Sequence, residues 1–271
     1  MAEVLTCKVG HGSVAYRRSR GTGRTVVLVH GNSSSSRTWH HLLDGPFGER
    51  FRCIAPDLPG HGGSAPLTDV DDYALPGYAT FLAAFVRTVD VRDAVIVGWS
   101  LGGHIVLEAA PALRAAAGFV LFGTPPVATA ASLAEGFLPN PAMNIGFSAD
   151  VSPQDAATYA ATFLSPESTV STDDLVADIL ATDPAARAGI AAGIAQGRFA
   201  DEVAIASSLS RPLALLHGEA EQLVSLDYLR RLELPHLWHR DVQVIPGAGH
   251  AVQEEAPDRL ADLLTRFVAE L

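Results

Sequence analysis

Basic residues are scarce in this chain, and lysine is almost missing. Lys8 is the single lysine, and 19 basic residues stand against 30 acidic ones, which gives a formal net charge of -11 at pH 7. Nucleic acids and anionic membranes both bind to positively charged patches. The composition therefore argues against nucleic acid and against a membrane surface as partners.

Cysteine is scarce as well, with only Cys7 and Cys53 at widely separated positions. Two such cysteines form neither a zinc-binding motif nor a disulfide framework, so we expect both to be reduced core residues. The neighbouring histidines His40 and His41 have no carboxylate at ligand spacing in the sequence. We therefore expect no metal site and no cofactor.

Long apolar runs are absent too. No stretch reaches eighteen apolar residues, and residues 1–10 lack the basic-then-apolar pattern of a signal peptide. The sequence thus predicts a cytoplasmic protein, either a monomer or a homodimer. Its 271 residues, 48% of them hydrophobic and 18% charged, are typical of one globular enzyme domain with an insertion.

Strand-like and helix-like segments alternate up to residue 122, after an early pair of strands. This order predicts a mostly parallel sheet covered by helices on both faces, with helices near residues 38–43, 75–89, 101–113, 226–234 and 257–271. Beyond Thr124 the alternation stops, and prolines separate short alanine-rich helical segments. We interpret residues 125–200 as a helical cap inserted into a core formed by residues 1–124 and 201–271.

A candidate nucleophile is found at residues 98–102, which read Gly-Trp-Ser-Leu-Gly. The apolar, β-branched run at 94–97 precedes this motif and a helix-like segment follows it, so Ser100 is predicted to lie on a tight strand-to-helix turn. Such a turn exposes the serine hydroxyl and offers it the N-terminus of a helix. The motif predicts catalysis by a serine nucleophile.

A base and an acid follow in the order expected for such a serine. A buried strand at 211–217 stops at Gly218, and the loop after it carries Glu219 and Glu221. The next short strand ends in a glycine-rich turn that leads to His250. His250 is the candidate base, and either glutamate is a candidate acid for a triad in the order serine, acid, histidine.

Four motifs in the chain resemble those of the α/β-hydrolase superfamily. They are His-Gly-Asn at 30–32, Asp-Leu-Pro-Gly-His-Gly-Gly-Ser at 57–64, the serine motif, and the segment from Gly218 to Val224 followed by Gly249 and His250. The resemblance implies the α/β-hydrolase fold and favours Glu221 as the acid, at a position where the family usually has aspartate. It also implies an oxyanion hole formed by the backbone N–H groups of Asn32 and Leu101.

The cap is expected to select the substrate, since it covers the ends of the strands that carry the catalytic groups. Its apolar side chains, among them Phe137 and Met143, are candidates for lining an acyl pocket. Tyr159 is the cap residue whose hydroxyl is a candidate contact for a substrate carbonyl. Trp99, beside the serine, is a further candidate for substrate contact.

Some of the motifs are more specific. Gly-Thr-Pro-Pro-Val-Ala at 123–128 and the glutamate acid are the specific parts of a pattern that also contains His-Gly-Asn-Ser-Ser-Ser at 30–35 and the serine motif. This pattern resembles the α/β-hydrolase type of N-acyl-homoserine lactonase. This resemblance implies opening of an acylated homoserine lactone ring, as in quorum quenching, with Asn32 and Tyr159 in contact with the substrate. A small ester or lactone is therefore the expected binding partner.

Two other functions stay open at this stage. One is a general carboxylesterase or a cofactor-free perhydrolase that acts on small esters. The other is a ligand receptor on a hydrolase scaffold, although such receptors often lose a triad residue. Dehalogenases and epoxide hydrolases of this fold use aspartate where this chain has Ser100.

Overall fold

The apolar runs of the sequence form a single eight-stranded sheet in the computed structural model, which describes residues 1–10 and 12–271. The strands lie in the order β1-β2-β4-β3-β5-β6-β7-β8. The first two strands are antiparallel to their neighbours and the other pairs are parallel. Their bounds are β1 (Glu3–Val9), β2 (Gly12–Arg18), β3 (Gly23–Val29), β4 (Phe51–Pro56), β5 (Val95–Trp99), β6 (Gly118–Phe122), β7 (Leu213–Gly218) and β8 (Gln243–Ile245).

The adjacent strands β5, β6 and β7 are buried along their whole length. Strands that are covered on both faces need continuous apolar sequences, which explains the uninterrupted runs of the sequence. In the parallel register Gly98 pairs with Leu121 and Trp99 with Phe122. The carboxyl ends of β5, β6 and β7 therefore meet at one edge of the sheet.

Twelve α-helices are found within the described residues. They are α1 (His40–Asp44), α2 (Pro46–Arg50), α3 (Leu75–Thr88), α4 (Leu101–Ala109), α5 (Ala130–Gly136), α6 (Pro153–Ala161), α7 (Asp173–Ala181), α8 (Pro184–Ala195), α9 (Glu202–Ser208), α10 (Leu226–Arg231), α11 (Val252–Glu255) and α12 (Pro257–Ala269). Shorter 3-10 helices cover Ser36–Trp39, Val70–Tyr73, Ala110–Ala112, Pro141–Phe147 and Trp238–Arg240.

Two predicted helices are shorter than expected. The helix expected over 101–113 is α-helical only to Ala109, because Pro111 has no N–H to donate to the carbonyl one turn before it. The helix expected over 226–234 ends at Arg231, and Leu232 is already extended. Pro235 disfavours helical backbone at Leu234, so the chain leaves the helix early.

The segment between β6 and β7 contains only helices among its regular elements. It holds α5 to α9 and the 3-10 helix Pro141–Phe147, and it lies at the carboxyl edge of the sheet, where Phe137 forms an isolated bridge with Val224. The α/β-hydrolase fold predicted from the sequence is confirmed. No helix in residues 1–10 and 12–271 combines the length and the apolar character needed to span a membrane.

Candidate active site

Ser100 lies on the turn between β5 and α4, with a backbone φ of 55° and ψ of -124°. This left-handed conformation is costly for a residue with a side chain, and it is held by surrounding hydrogen bonds. The Ser100 N–H donates to the Phe122 carbonyl at 2.9 Å, and the Thr124 hydroxyl donates to the Ser100 carbonyl at 2.8 Å. A Cβ atom on Gly98 would lie 2.5 Å from the Gly102 carbonyl oxygen, so the turn requires glycine there.

His250 and Glu221 form a buried pair next to this turn. The Nδ1 atom of His250 lies 2.8 Å from Oε2 and 3.0 Å from Oε1 of Glu221. The two side chains are 2% and 1% exposed, and the Leu223 N–H donates to Oε1 of the same carboxylate at 2.8 Å. Because a carboxylate only accepts hydrogen bonds, the Nδ1 atom of His250 must carry the proton of this contact.

The other ring nitrogen of His250 has no such partner. Its Nε2 atom is buried and makes no hydrogen bond to any residue in the described part of the chain. A buried polar atom without a partner is costly in a folded protein and is a feature of sites that await a ligand. With Nδ1 protonated, Nε2 is the lone-pair nitrogen that can accept a proton from a serine hydroxyl.

Glu219, the other candidate acid, points elsewhere. Its side chain is exposed, and its Oε2 accepts a hydrogen bond from the Gly247 N–H at 3.0 Å. The structure therefore brings Glu221 rather than Glu219 to the imidazole.

The end of strand β3 lies directly against the serine. A Cβ atom on Gly31 would be 3.0 Å from the Cβ atom of Ser100, which leaves room only for a bare backbone. Asn32 follows this close contact, and Leu101 is the first residue of α4, so its N–H has no acceptor within the helix. Both predicted oxyanion residues thus flank Ser100.

The Asn32 side chain connects this loop to the helical segment. Its Nδ2 atom donates to the Gly146 carbonyl at 2.6 Å, and its Oδ1 atom accepts from the Ser33 hydroxyl at 3.2 Å. Tyr159 also lines the cavity with Asn32, and burial raises the pKa of Tyr159 well above its usual value. At neutral pH the phenol keeps its proton and can donate a hydrogen bond.

A cavity of about 440 Å³ lies above Ser100 and His250. Apolar side chains of the helical segment make up half of its lining residues, and Asn32 and Tyr159 are among the polar ones. The wall includes the predicted Phe137 and Met143. It also includes residues that the sequence analysis did not single out, namely Leu75, Leu133, Asn140, Asn144, Ile190, Ala191, Ile194, Ala195, Phe199 and Leu223.

Trp99 differs from the other predicted substrate contacts. Its side chain is completely buried outside the cavity wall, its Nε1 atom donates to the His250 carbonyl at 2.9 Å, and its ring packs edge-on against Phe163. The expectation that Trp99 touches the substrate is thus corrected. The indole supports the backbone of His250 from behind, because side chains alternate between the two faces of β5.

His104 is the most informative residue that the sequence analysis missed. It lines the cavity one turn after Ser100 on α4, and its Nδ1 atom lies 2.8 Å from Oε2 of the fully buried Glu202. The four-residue spacing from Ser100 would have placed it on the same helix face. The partner could not have been found in this way, because Glu202 lies 98 residues later.

One cluster outside the cavity brings together groups that could bind a metal. The structure places Glu254 beside His40 and His41, with potential ligand atoms within 4.8 Å of one another. The sequence analysis found no carboxylate near these histidines because Glu254 comes from α11, far along the chain. Glu254 already accepts a hydrogen bond from the Thr38 hydroxyl at 2.7 Å, and both histidines are exposed.

Comparisons with known proteins identify the family of this chain. A sequence model of the alpha/beta hydrolase family matches residues 26–263. The solved structure of N-acyl homoserine lactonase AidH complexed with N-butanoyl homoserine superimposes with a TM-score of 0.93 at 33% identity, over 98% of this chain and 96% of that chain. Esterase RhEst1 from Rhodococcus sp. ECU1013 gives a TM-score of 0.81 at 25% identity, over 100% of this chain and 99% of that chain.

Curated sequences match over different lengths. The pimeloyl-(acyl-carrier protein) methyl ester esterase of Methylococcus capsulatus is 30% identical over 261 residues, which cover 92% of this chain and 96% of that protein. A haloalkane dehalogenase of Mesorhizobium japonicum is 35% identical, but only over 36% of this chain and 31% of that protein. Against three mycobacterial relatives the chain spans 30% of their length. The match along most of the chain shows that it belongs to the alpha/beta hydrolase family.

Proposed function

We propose that this protein is a serine hydrolase that opens the ester ring of N-acyl-homoserine lactones, with Ser100 as nucleophile, His250 as base and Glu221 as acid. The observation that carries the proposal is a whole-chain similarity, at a TM-score of 0.93, to a lactonase complexed with N-butanoyl homoserine. The esterases among its relatives support the coarser assignment to hydrolysis of ester bonds.

The proposed reaction begins with attack of the Ser100 hydroxyl oxygen on the lactone carbonyl carbon. His250 Nε2 takes the hydroxyl proton, and Glu221 stabilises the positive charge that forms on the ring. The N–H groups of Asn32 and Leu101 stabilise the negative charge on the carbonyl oxygen, where loss of one donor typically costs about 3 kcal/mol. Collapse of the intermediate breaks the ring C–O bond, and His250 returns the proton to the departing oxygen.

A lactone makes the next step demanding. The released hydroxyl stays attached to the acyl group, so it competes with water for the ester bond to Ser100. Water that loses its proton to His250 then attacks that ester bond, and the products are the free serine and the open-chain N-acyl-homoserine. The buried pair of His250 and Glu221 supports this second use of the base, because its carboxylate is already in place.

The cavity supports an acyl chain rather than a bulky polar substrate. Apolar side chains such as Phe137, Met143 and Ile194 line it, and most of them come from the helical segment that follows β6. Each buried methylene group contributes about 0.8 kcal/mol. The residues 125–200 are proposed to act as a cap domain that selects the chain length.

A general carboxylesterase is the second candidate. The methyl ester esterase of Methylococcus capsulatus, aligned over 96% of its length, favours it. The same three groups would cleave a simple ester without the ring.

A hydrolysis panel tests the proposal and separates the two candidates. N-acyl-homoserine lactones of increasing chain length are compared with simple esters of the same acyl groups, with Ser100→Ala as the inactive control. We expect ring opening by the wild-type protein, a specificity constant that rises several-fold for two added carbons, and no turnover by the variant. Hydrolysis of the simple esters without ring opening at any chain length would assign the protein to the general esterases.

A further inference from the structure

The acyl cavity contains a second histidine–glutamate pair that the proposed reaction does not use. His104 lies on its wall and the fully buried Glu202 lies beside it, with both carboxylate oxygens of Glu202 within 2.9 Å of His104 Nδ1. Most residues of the wall are apolar, and the rings of His104 and Phe137 lie with centroids 6.1 Å apart. An ionisable pair in such surroundings calls for an explanation.

The pair is arranged so that one atom of His104 remains available. Glu202 is 0% exposed and also accepts from the Val127 N–H at 2.9 Å. Because its carboxylate is an acceptor, the ring donates through Nδ1 and its orientation is fixed. The Nε2 atom, on the opposite edge of the ring, makes no hydrogen bond within the described residues and is not completely buried. Because His104 lines the cavity, this atom is the one through which the ring can bind a ligand.

A purely alkyl substrate gives no reason for this arrangement. Burial of Glu202 costs free energy, and an apolar side chain at position 104 would contact a methylene chain better than an imidazole does. We infer that His104, held by Glu202, recognises an oxygen atom on the acyl chain. The cavity is thus selective for acyl groups that carry a keto or hydroxyl group, an inference that rests on the proposed lactonase function.

The position of His104 specifies where that oxygen lies. Four residues of α-helix separate His104 from Ser100, a rise of about 6 Å. In an N-acyl-homoserine lactone, the third carbon of the acyl group is five bonds away from the lactone carbonyl carbon. An acyl chain that runs along α4 therefore brings a substituent on this carbon to His104, beyond the amide group that Asn32 and Tyr159 are placed to contact.

Both kinds of oxygen fit the chemistry of the imidazole. With Nδ1–H donated to Glu202, a neutral ring accepts a hydrogen bond from a hydroxyl group through Nε2, and a protonated ring donates one to a keto group. Either contact gives the Nε2 atom of His104 a hydrogen-bond partner. An unsubstituted chain would leave Nε2 unpaired, which is why a site with such a group rejects it.

The first test uses the wild-type protein. Three N-acyl-homoserine lactones of equal chain length are compared, with a keto group, a hydroxyl group or no substituent at the third carbon. We expect kcat/KM for at least one of the oxygenated chains to exceed that of the plain chain by about tenfold. Equal specificity constants for all three would overturn the inference without any variant.

Variants then separate recognition from a structural role. In His104→Phe the ratio of oxygenated to plain substrate is expected to fall to about one, whereas Phe137→Leu, a change of size on the adjacent wall, should keep it. Glu202→Gln should reduce the ratio because the ring loses its fixed orientation. A merely structural pair would lower the melting temperature of these variants and leave the ratio unchanged.

A further comparison separates this inference from the lactonase proposal. If no lactone is opened, the ratio is measured on simple esters, with a keto group at the sixth acyl carbon, also five bonds from the attacked carbonyl carbon, in one ester and a methyl branch there in its matched partner. A preference for the keto ester that disappears in His104→Phe would retain the subsite and refute only the lactonase assignment. Equal rates for the two esters would refute the subsite as well.

Discussion

The imidazole of His250 and the carboxylate of Glu221 are in contact through both carboxylate oxygens, at 2.8 and 3.0 Å from Nδ1. Neither side chain is more than 2% exposed. A carboxylate in this position fixes the tautomer of the ring and stabilises the positive charge that the ring acquires as it takes a proton. The proposed base is therefore oriented before any substrate binds.

The first prediction concerns the acid. Glu221→Gln is expected to lower kcat by roughly two to four orders of magnitude, because an amide neither stabilises the imidazolium nor enforces its tautomer. Glu219→Gln is the matched control, since its exposed carboxylate binds only the Gly247 N–H. Turnover is measured on a chromogenic ester with both folded variants. A larger loss in Glu219→Gln than in Glu221→Gln would mean that the acid is assigned to the wrong residue.

Much of this geometry could be predicted from the sequence. The serine turn needs small residues around Ser100, and glycine marks both the end of β7 at Gly218 and the turn after β8 at Gly249. The local sequence therefore already indicates the edge of the sheet where the groups meet. The resemblance to the α/β-hydrolase motif after Gly218 favoured Glu221 over Glu219, which lies only two residues earlier.

Other parts of the site depend on contacts between distant residues. Glu202 contacts His104 from α9, and Glu254 of α11 lies near His41. Because the partners are far apart in the sequence, no local pattern predicts either pair. Trp99 looked like a substrate contact because it adjoins the serine, but the alternation of β5 turns it to the opposite side. The part of the cavity wall formed by α8 was also missed, because its apolar residues are equally consistent with packing of the helix against the core.

The second prediction concerns the phenol of Tyr159. Tyr159→Phe is expected to reduce kcat/KM for a lactone more than for a phenyl ester, because a polar group left without its partner costs about 1–3 kcal/mol. Both rates are measured on the same preparation. An equal reduction for the two substrates would show that the hydroxyl makes no specific contact with the lactone.

The third prediction concerns the carboxyl of Glu108, which lies one turn beyond His104 on α4. Burial, aided by the charge of Glu202, raises its pKa from 4.5 to about 7. Between these two pH values the folded protein binds more protons than the unfolded chain, so this group's stabilising contribution is complete below pH 4.5 and is lost as pH rises through about 7.

Glu108→Gln removes this titration and keeps an oxygen for the Ala200 N–H, which donates to Glu108 at 2.8 Å. The variant is therefore expected to melt a few degrees above the wild-type protein at pH 8, with a smaller difference at pH 5. Thermal unfolding at the two pH values measures the effect, and Glu135→Gln on the exposed surface is the control. A difference between variant and wild type that does not change with pH would contradict the assignment.

The fourth prediction concerns metal ions. Dialysis against a chelator is expected to leave ester hydrolysis unchanged, because the proposed triad works without a metal. The side chains of His40, His41 and Glu254 are the one candidate cluster among the described residues, and they do not line the cavity. Loss of activity on dialysis that added zinc restores would overturn this expectation, and a double replacement of the histidines would then locate the ion.

The backbone conformation of Ser100 creates a trade-off between thermal stability and catalytic activity. A φ of 55° costs a serine about 1–3 kcal/mol that glycine at the same position would largely avoid. Laboratory selection for thermal stability alone would therefore favour glycine at position 100. The resulting protein would be more stable but would no longer turn over substrate. Selection for a more stable variant therefore has to include an activity screen, because this stabilising change removes the proposed nucleophile.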